Sequence, residues 1–195
     1  MILGITGKYC CGKNTAADEL EKKGFCQIEV DKLGHAALDL KKDEIEKVFG
    51  SSVIDENGKV SRAELGKIVF KSKSMKKKLE EIVHPLMIEM VKKSIEKNSG
   101  KKILINAAIL AQMGLHKLCD AVIWVKSPYL KSFEWALKRD NLPPGAVLDR
   151  MISQRKLNPN LIKKDVDTYI INNSGTLEEL FAGVEKVLKI IDSRK

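Results

Sequence analysis

The chain opens MILGITGKYCCGKNT, an apolar run of strand length that breaks into a glycine loop and then a lysine. No other feature confines the fold so narrowly. A short apolar run without polar alternation reads as a strand buried on both faces, which belongs in a parallel sheet covered by helices. The loop after it fits G-x-x-x-x-G-K-[S/T] at every fixed position except the last, where Asn14 replaces a hydroxyl residue. Gly7 and Gly12 allow a backbone whose successive N–H groups, those of Cys10 and Cys11 included, face phosphate oxygens. The helix opening at Thr15 adds its positive dipole end, and Lys13 adds a point charge for the β- and γ-phosphates. A Ser or Thr hydroxyl normally ligates Mg²⁺ at position 14. The Asn14 amide oxygen is also a hard-cation ligand, but on a longer and differently directed side chain, so it is expected to be a weak one.

The rest of the chain repeats the strand–helix rhythm. Apolar runs at Ile2 to Thr6, Phe25 to Val30, Ile103 to Asn106, Ala121 to Val125 and Thr168 to Asn172 predict five buried parallel strands. Thr15 to Lys23 reads as a helix stopped by Gly24. Leu177 to Asp192 reads as an amphipathic helix with Leu177, Leu180, Phe181, Val184, Leu188 and Ile191 on one face. The fold expected is α/β, a doubly wound parallel five-stranded sheet of the P-loop NTPase type, with a core of residues 1–30, 101–128 and 166–195. Residues 31–100 interrupt it as a mainly helical insert that would bind substrate. A turn is expected at Asp55 to Gly58, and His84-Pro85 is expected to end one helix and start another. Residues 129–165, basic and holding Pro143-Pro144-Gly145, read as a lid.

Charge and cysteine usage narrow the partners. The formal charge is +9, and Lys71 to Lys102 carries ten lysines against four glutamates. Such an excess draws either nucleic acid or a polyanionic small molecule. With ten aromatic residues and no stacking motif, a solvated lysine face is favoured and no nucleic-acid partner is expected. No apolar run reaches the roughly 20 residues of a membrane span, and glycines and lysines break the N-terminal run at once, so the expected address is cytoplasmic. Cys10, Cys11, Cys26 and Cys119 form neither a CxxC pair nor a zinc spacing, and read as reduced thiols; the adjacent Cys10 and Cys11 admit a strained disulfide as the minor alternative.

The second strand ends Ile28-Glu29-Val30-Asp31. Ligands of open α/β sheets bind outside the carboxyl ends of the strands, where a carboxylate at Asp31 would orient an acceptor hydroxyl and take its proton. An N-cap for the following helix is the equal alternative.

Taken in order, the glycine loop, I-E-V-D-K-L-G-H, I-V-H-P-L, A-I-L-A-Q-M-G-L and I-N-N-S-G resemble the dephospho-CoA kinase family almost end to end. That resemblance implies ATP-dependent phosphorylation of the ribose 3′-hydroxyl of dephospho-CoA, with Mg²⁺, by a monomer or weak homo-oligomer. By the same resemblance Asp31 is the catalytic base and Gly7, Gly12, Lys13 and Thr15 hold ATP. Arg139 clamps the moving phosphoryl group, Arg150 and Gln154 belong to the lid's R-x-x-x-Q, and Asn173 and Gly175 form the turn beside adenine. His35 and His84 line the acceptor side, though a structural role suits each equally.

The chain departs from the family pattern at Asn14, at Glu29 in place of an aspartate, and across Ala108 to Gln112, which lacks a proline and a charge. Its lid is also about three residues longer. A non-catalytic or altered-specificity nucleotide-binding protein is therefore the alternative reading.

Overall fold

A computed structural model describes residues 1–194. Five parallel strands, β1 (Ile2–Gly7), β2 (Phe25–Glu29), β3 (Lys102–Asn106), β4 (Ala121–Lys126) and β5 (Thr168–Asn172), form one sheet in the order β2-β3-β1-β4-β5. The glycine-loop strand is central. Its Ile5 lies level with Asn106 of β3 and its Gly7 level with Val125 of β4, so the loop emerges where three strand ends converge.

Met1–Ile28 together with Asn98–Lys195 form one compact unit, and Glu29–Lys97 form a second. In the first, α1 (Lys13–Lys22) and α8 (Leu177–Asp192) share a core with the sheet. Leu3, Ile5, Ile123, Val125 and Ile171 meet Ala16, Leu20, Leu180 and Val184 there, and all are nearly or fully buried. Two corrections fall on α8: Val187 joins its buried face, whereas Leu177 is exposed. Leu177 is the first helical residue, beside the Thr176 cap, where a side chain is carried past the edge of the sheet's core. Thr176 and Glu179 cap this helix reciprocally, and a side chain at Gly175 would overlap the Glu179 carboxylate.

The segment 129–165, expected as a lid, is more ordered than its weak apolar pattern suggests. It contains α6 (Tyr129–Asp140), α7 (Pro144–Ser153) with Pro144 in its first turn, and a 3-10 turn at Pro159–Leu161. Ala136, Val147 and Met151 are its small core, with Tyr9, Cys10, Phe133 and Leu137 packed against it.

The second unit is helical: α2 (Val30–Leu40), α3 (Lys42–Phe49), α4 (Arg62–Lys71) and α5 (Lys73–Lys97), with α5 packed on α2 and α4. Val30, expected to end a strand, instead starts α2. Pro85 does not end a helix; α5 runs through it without a break. Pro85 itself is exposed, so the carbonyl it leaves without an intrahelical donor can be met by water, while Val83, Met87 and Val91 bury the other face. The lysines of α5 pair with glutamates along the surface, Lys76 with Glu80, Lys77 with Glu81 and Lys93 with Glu89, as a solvated face does. The turn at 55–58 is present: Asp55 Oδ1 accepts from the N–H groups of Asn57 and Lys59. Among the described residues no helix is long and apolar enough to cross a membrane.

Candidate functional site

Residues 7–12 join β1 to α1, and Gly12 turns the chain into the helix with φ of +87°. That conformation strains any residue with a side chain, and a Cβ at Gly12 would also strike Asn173 Nδ2. Gly7 is required for a different reason: its added Cβ would lie 2.5 Å from the Val125 carbonyl oxygen and from Cys11 Sγ. The loop is thus held by its neighbours. Asn173, buried just past β5, donates through Nδ2 to the Cys11 carbonyl at 3.0 Å, and its own N–H donates to the Lys126 carbonyl at 2.6 Å. The expected adenine-side asparagine therefore also fixes the phosphate loop.

Lys13 begins α1, and its Nζ donates to Asn106 Oδ1 at the carboxyl end of β3. Asn106 Nδ2 donates in turn to Gln27 Oε1 at 2.9 Å and Asn14 Oδ1 at 3.3 Å. Four side chains from α1, β2 and β3 form one chain of hydrogen bonds, and the buried Asn106 is its centre. Sequence reading missed Asn106 and Gln27. For Asn106 the available signal was the one used for Asp31, a polar residue ending an apolar strand at the ligand-binding edge; Gln27, in mid-strand, gives no such signal.

The segment expected to be a lid touches the loop from the other side. Gln154 Oε1 accepts the Tyr9 N–H at 2.6 Å, and Lys8 Nζ donates to the Arg155 carbonyl at 3.4 Å. Arg139 donates twice to Asp140, from Nε at 2.6 Å and Nη2 at 3.0 Å. Arg150 Nη1 lies 3.4 Å from both Asp140 Oδ2 and the Tyr9 hydroxyl, and that hydroxyl donates to Asp140. Both guanidinium groups also stand near the Tyr9 ring, their carbons 5.4 and 5.8 Å from its centroid. Arg139 and Arg150 stand together around two partners the sequence did not single out, Tyr9 and Asp140.

These contacts set the titration of the cluster. The Arg139 hydrogen bonds hold the Asp140 carboxyl at about 2, and Arg139 is correspondingly raised. Burial, then the bond to Asp140, raises the Tyr9 phenol. Burial also raises the thiols of Cys10 and Cys11, the latter to about 11, so neither is a ready thiolate. Both are free cysteines, as the reduced reading expects.

Asp31 lies in the first turn of α2, exposed, directly after β2; the N-cap of that helix is Glu29, so capping is not Asp31's role. In the same unit His35 is exposed, with Arg62 Nη1 3.1 and 3.2 Å from its two ring nitrogens. His84, half-buried in α5, has its pKa lowered by burial. Thr15 follows Asn14 in the first turn of α1.

A metal ion at this loop would meet amide and hydroxyl oxygens. Among the described residues no cluster of three His, Cys, Asp or Glu side chains is placed to hold one. Asn14 Oδ1 accepts one hydrogen bond and has a second lone pair, which suits a Mg²⁺ that keeps its waters and phosphate ligands and takes a single protein oxygen.

Comparison with known proteins gives a consistent result. A family model described as dephospho-CoA kinase matches residues 1–179. Dephospho-CoA kinase of Fusobacterium nucleatum is 34% identical over 193 residues, with 98% of each chain covered. That of Aquifex aeolicus is 34% identical over 194 residues, covering 95% of this chain and 94% of its own. Among solved structures, dephospho-CoA kinase from Campylobacter jejuni superposes with a TM-score of 0.70 at 27% identity, covering 97% of this chain and 96% of that one. Shikimate kinase from Bacteroides thetaiotaomicron, 14% identical with a TM-score of 0.56 over 98% of both chains, shares the fold.

Proposed function

The chain belongs to the dephospho-CoA kinase family, phosphotransferases of the last step of coenzyme A biosynthesis, and from that premise we propose the part each of its residues plays. The loop's backbone N–H groups and the N-terminus of α1 receive the ATP triphosphate. Lys13, directed by Asn106, spans the β- and γ-phosphates. Arg139 and Arg150 exchange the Asp140 carboxylate for the γ-phosphoryl group, one anionic partner for another, and carry the charge that builds up in transfer. Cys10, Cys11, Thr15, Asn173 and Gly175 complete the nucleotide side, the last two beside the base.

The acceptor is placed by the unit Glu29–Lys97, whose lysine surplus attracts its pyrophosphate, with His35 and His84 on that side. Asp31 takes the proton of the ribose 3′-hydroxyl. That oxygen bonds to the γ-phosphorus as the bond to the β–γ bridging oxygen breaks, and ADP leaves. Asn14 would hold a Mg²⁺ ion through its amide oxygen, and such an ion would neutralise phosphate charge. The enzyme works in the cytoplasm, as a monomer or weak homo-oligomer.

The observation that carries this reading is the junction of loop and lid: Tyr9 bonded to Gln154, with Arg139 and Arg150 gathered beside it. The test is dephospho-CoA-dependent ADP formation, measured beside ATP binding in wild type and Asp31→Asn. The variant should lose about 10²–10⁴-fold in rate, the range for a general base, with ATP affinity unchanged. Full activity in the variant would remove Asp31 from the mechanism.

A further inference from the structure

Alternation along β4 and β5 sends Ile123, Val125 and Ile171 into the core shared with α1 and α8, so Trp124 and Ile170 lie on the opposite face of the sheet. There they border a cavity of about 590 Å³, closed on the lid side by Ile152 and Leu157. Packing seldom leaves voids larger than a water molecule, and this volume is in the range of small-molecule sites, roughly 300–1,000 Å³. Large apolar side chains around it are left uncovered: Tyr129 is 54% exposed, Ile152 52% and Ile170 41%.

Charge says what fills it. Lys8, Lys126 and Arg155 all line the cavity, and no carboxylate does among the described residues. Lys8 already leans across to the Arg155 carbonyl. An apolar floor with cations of one sign at its edge complements a molecule that is apolar along its length and anionic at one end.

We propose that this cavity binds a small organic anion with an apolar body, an alkyl or aryl carboxylate. Its chain or ring lies on Trp124 and Ile170, and its carboxylate lies among Lys8, Lys126 and Arg155. The cavity shares Tyr9 and Cys11 with the loop, and the proposal stands whether or not the roles proposed above for Asp31 and the lid arginines hold.

The chain has two tryptophans, Trp124 and Trp135, so Trp135→Phe in the full-length protein leaves Trp124 as the only indole reporter. Titrating this variant with decanoate, below its micelle concentration and without ATP, should change Trp124 emission saturably. Decanol, the uncharged counterpart, should bind at least tenfold more weakly. Adding Ile152→Glu, which sets a carboxylate at an exposed position of the wall, should raise the decanoate Kd at least tenfold. Arg155→Met should raise it at least threefold while leaving decanol unaffected; Arg155 is exposed, so this variant carries the test if Ile152→Glu fails to fold. No saturable change with decanoate, equal affinity for decanol, or an unchanged Kd in a folded variant would each overturn the proposal.

Discussion

Replacing Gly12 with alanine separates two costs that meet at one atom. The first is conformational: φ at Gly12 is +87°, and a left-handed conformation costs a residue with a Cβ about 1–2 kcal/mol. The second is steric. The new methyl would occupy the place of Asn173 Nδ2, which is bonded to the Cys11 carbonyl at 3.0 Å and buried. Displacing that amide leaves a buried acceptor unpaired, worth about 1–3 kcal/mol. Gly12→Ala should therefore destabilise the protein by roughly 2–5 kcal/mol. Asn173→Ala alone should cost about 1–3 kcal/mol, since it removes the same hydrogen bond. In the Asn173→Ala background the obstacle is gone, and Gly12→Ala should cost only its conformational share, about 1–2 kcal/mol. The double-mutant cycle, read by urea unfolding of the helical signal, should thus be sub-additive by about 1–3 kcal/mol. ATP binding by calorimetry should follow the same order, because the loop that moves is the one that meets phosphate. A cycle additive to within about 0.5 kcal/mol would refute the claim that Asn173 shapes the loop through this contact.

Lys13→Ala should weaken ATP binding by about 1.5–3 kcal/mol, the range for charged hydrogen bonds; equal calorimetric affinities would count against the loop reading. Asn14→Ser restores a compact hydroxyl and should lower the Mg²⁺ concentration that half-saturates turnover, so an unchanged titration would mean the amide already serves. Asp140→Asn tests the arginine cluster through pH. The folded pKa of Asp140 is depressed from 3.8 to about 2, so its stabilisation is fully present above 3.8 and is lost as pH falls from there toward 2. The shift corresponds to roughly 2 kcal/mol. Its partner Arg139 is 55% exposed, so screening leaves about 1 kcal/mol. The stability gap between wild type and variant should therefore be near 1 kcal/mol at pH 7 and narrow below pH 4; urea melts with a constant gap would refute it.

The sheet was legible because its central strands β1, β3 and β4 are buried on both faces, and continuous apolar runs such as Ala121 to Val125 have few other readings. The bounds of β5 and α8 follow from Asn and Gly punctuation on one side and a Thr–Glu cap on the other. Pro85 misled because tertiary packing overrode local propensity: Val83, Met87 and Val91 hold the long helix against its neighbours through the proline. The lid helices were obscured because their apolar side chains pack on Tyr9 and Cys10, far away in sequence, rather than along one long stripe. At the site, Gly7, Gly12 and Lys13 announce themselves by spacing. Asn106, Gln27, Tyr9 and Asp140 do not, since each acquires its partner only when strands and lid are brought together.

The bond from Asn173 to the Cys11 carbonyl also has a consequence for the order of events in synthesis. Its two residues are 162 positions apart, so the phosphate loop is made well before the amide that completes it. At roughly 5–20 residues per second, that interval is on the order of 10–30 s. For most of it β1 waits without β3 and β4, the strands it pairs with, and for all of it the loop lacks the amide that shapes it. A nucleotide that stabilises the folded state cannot help a chain whose receiving loop is unfinished. The nascent loop must stay soluble without help from nucleotide until residue 173 has been made.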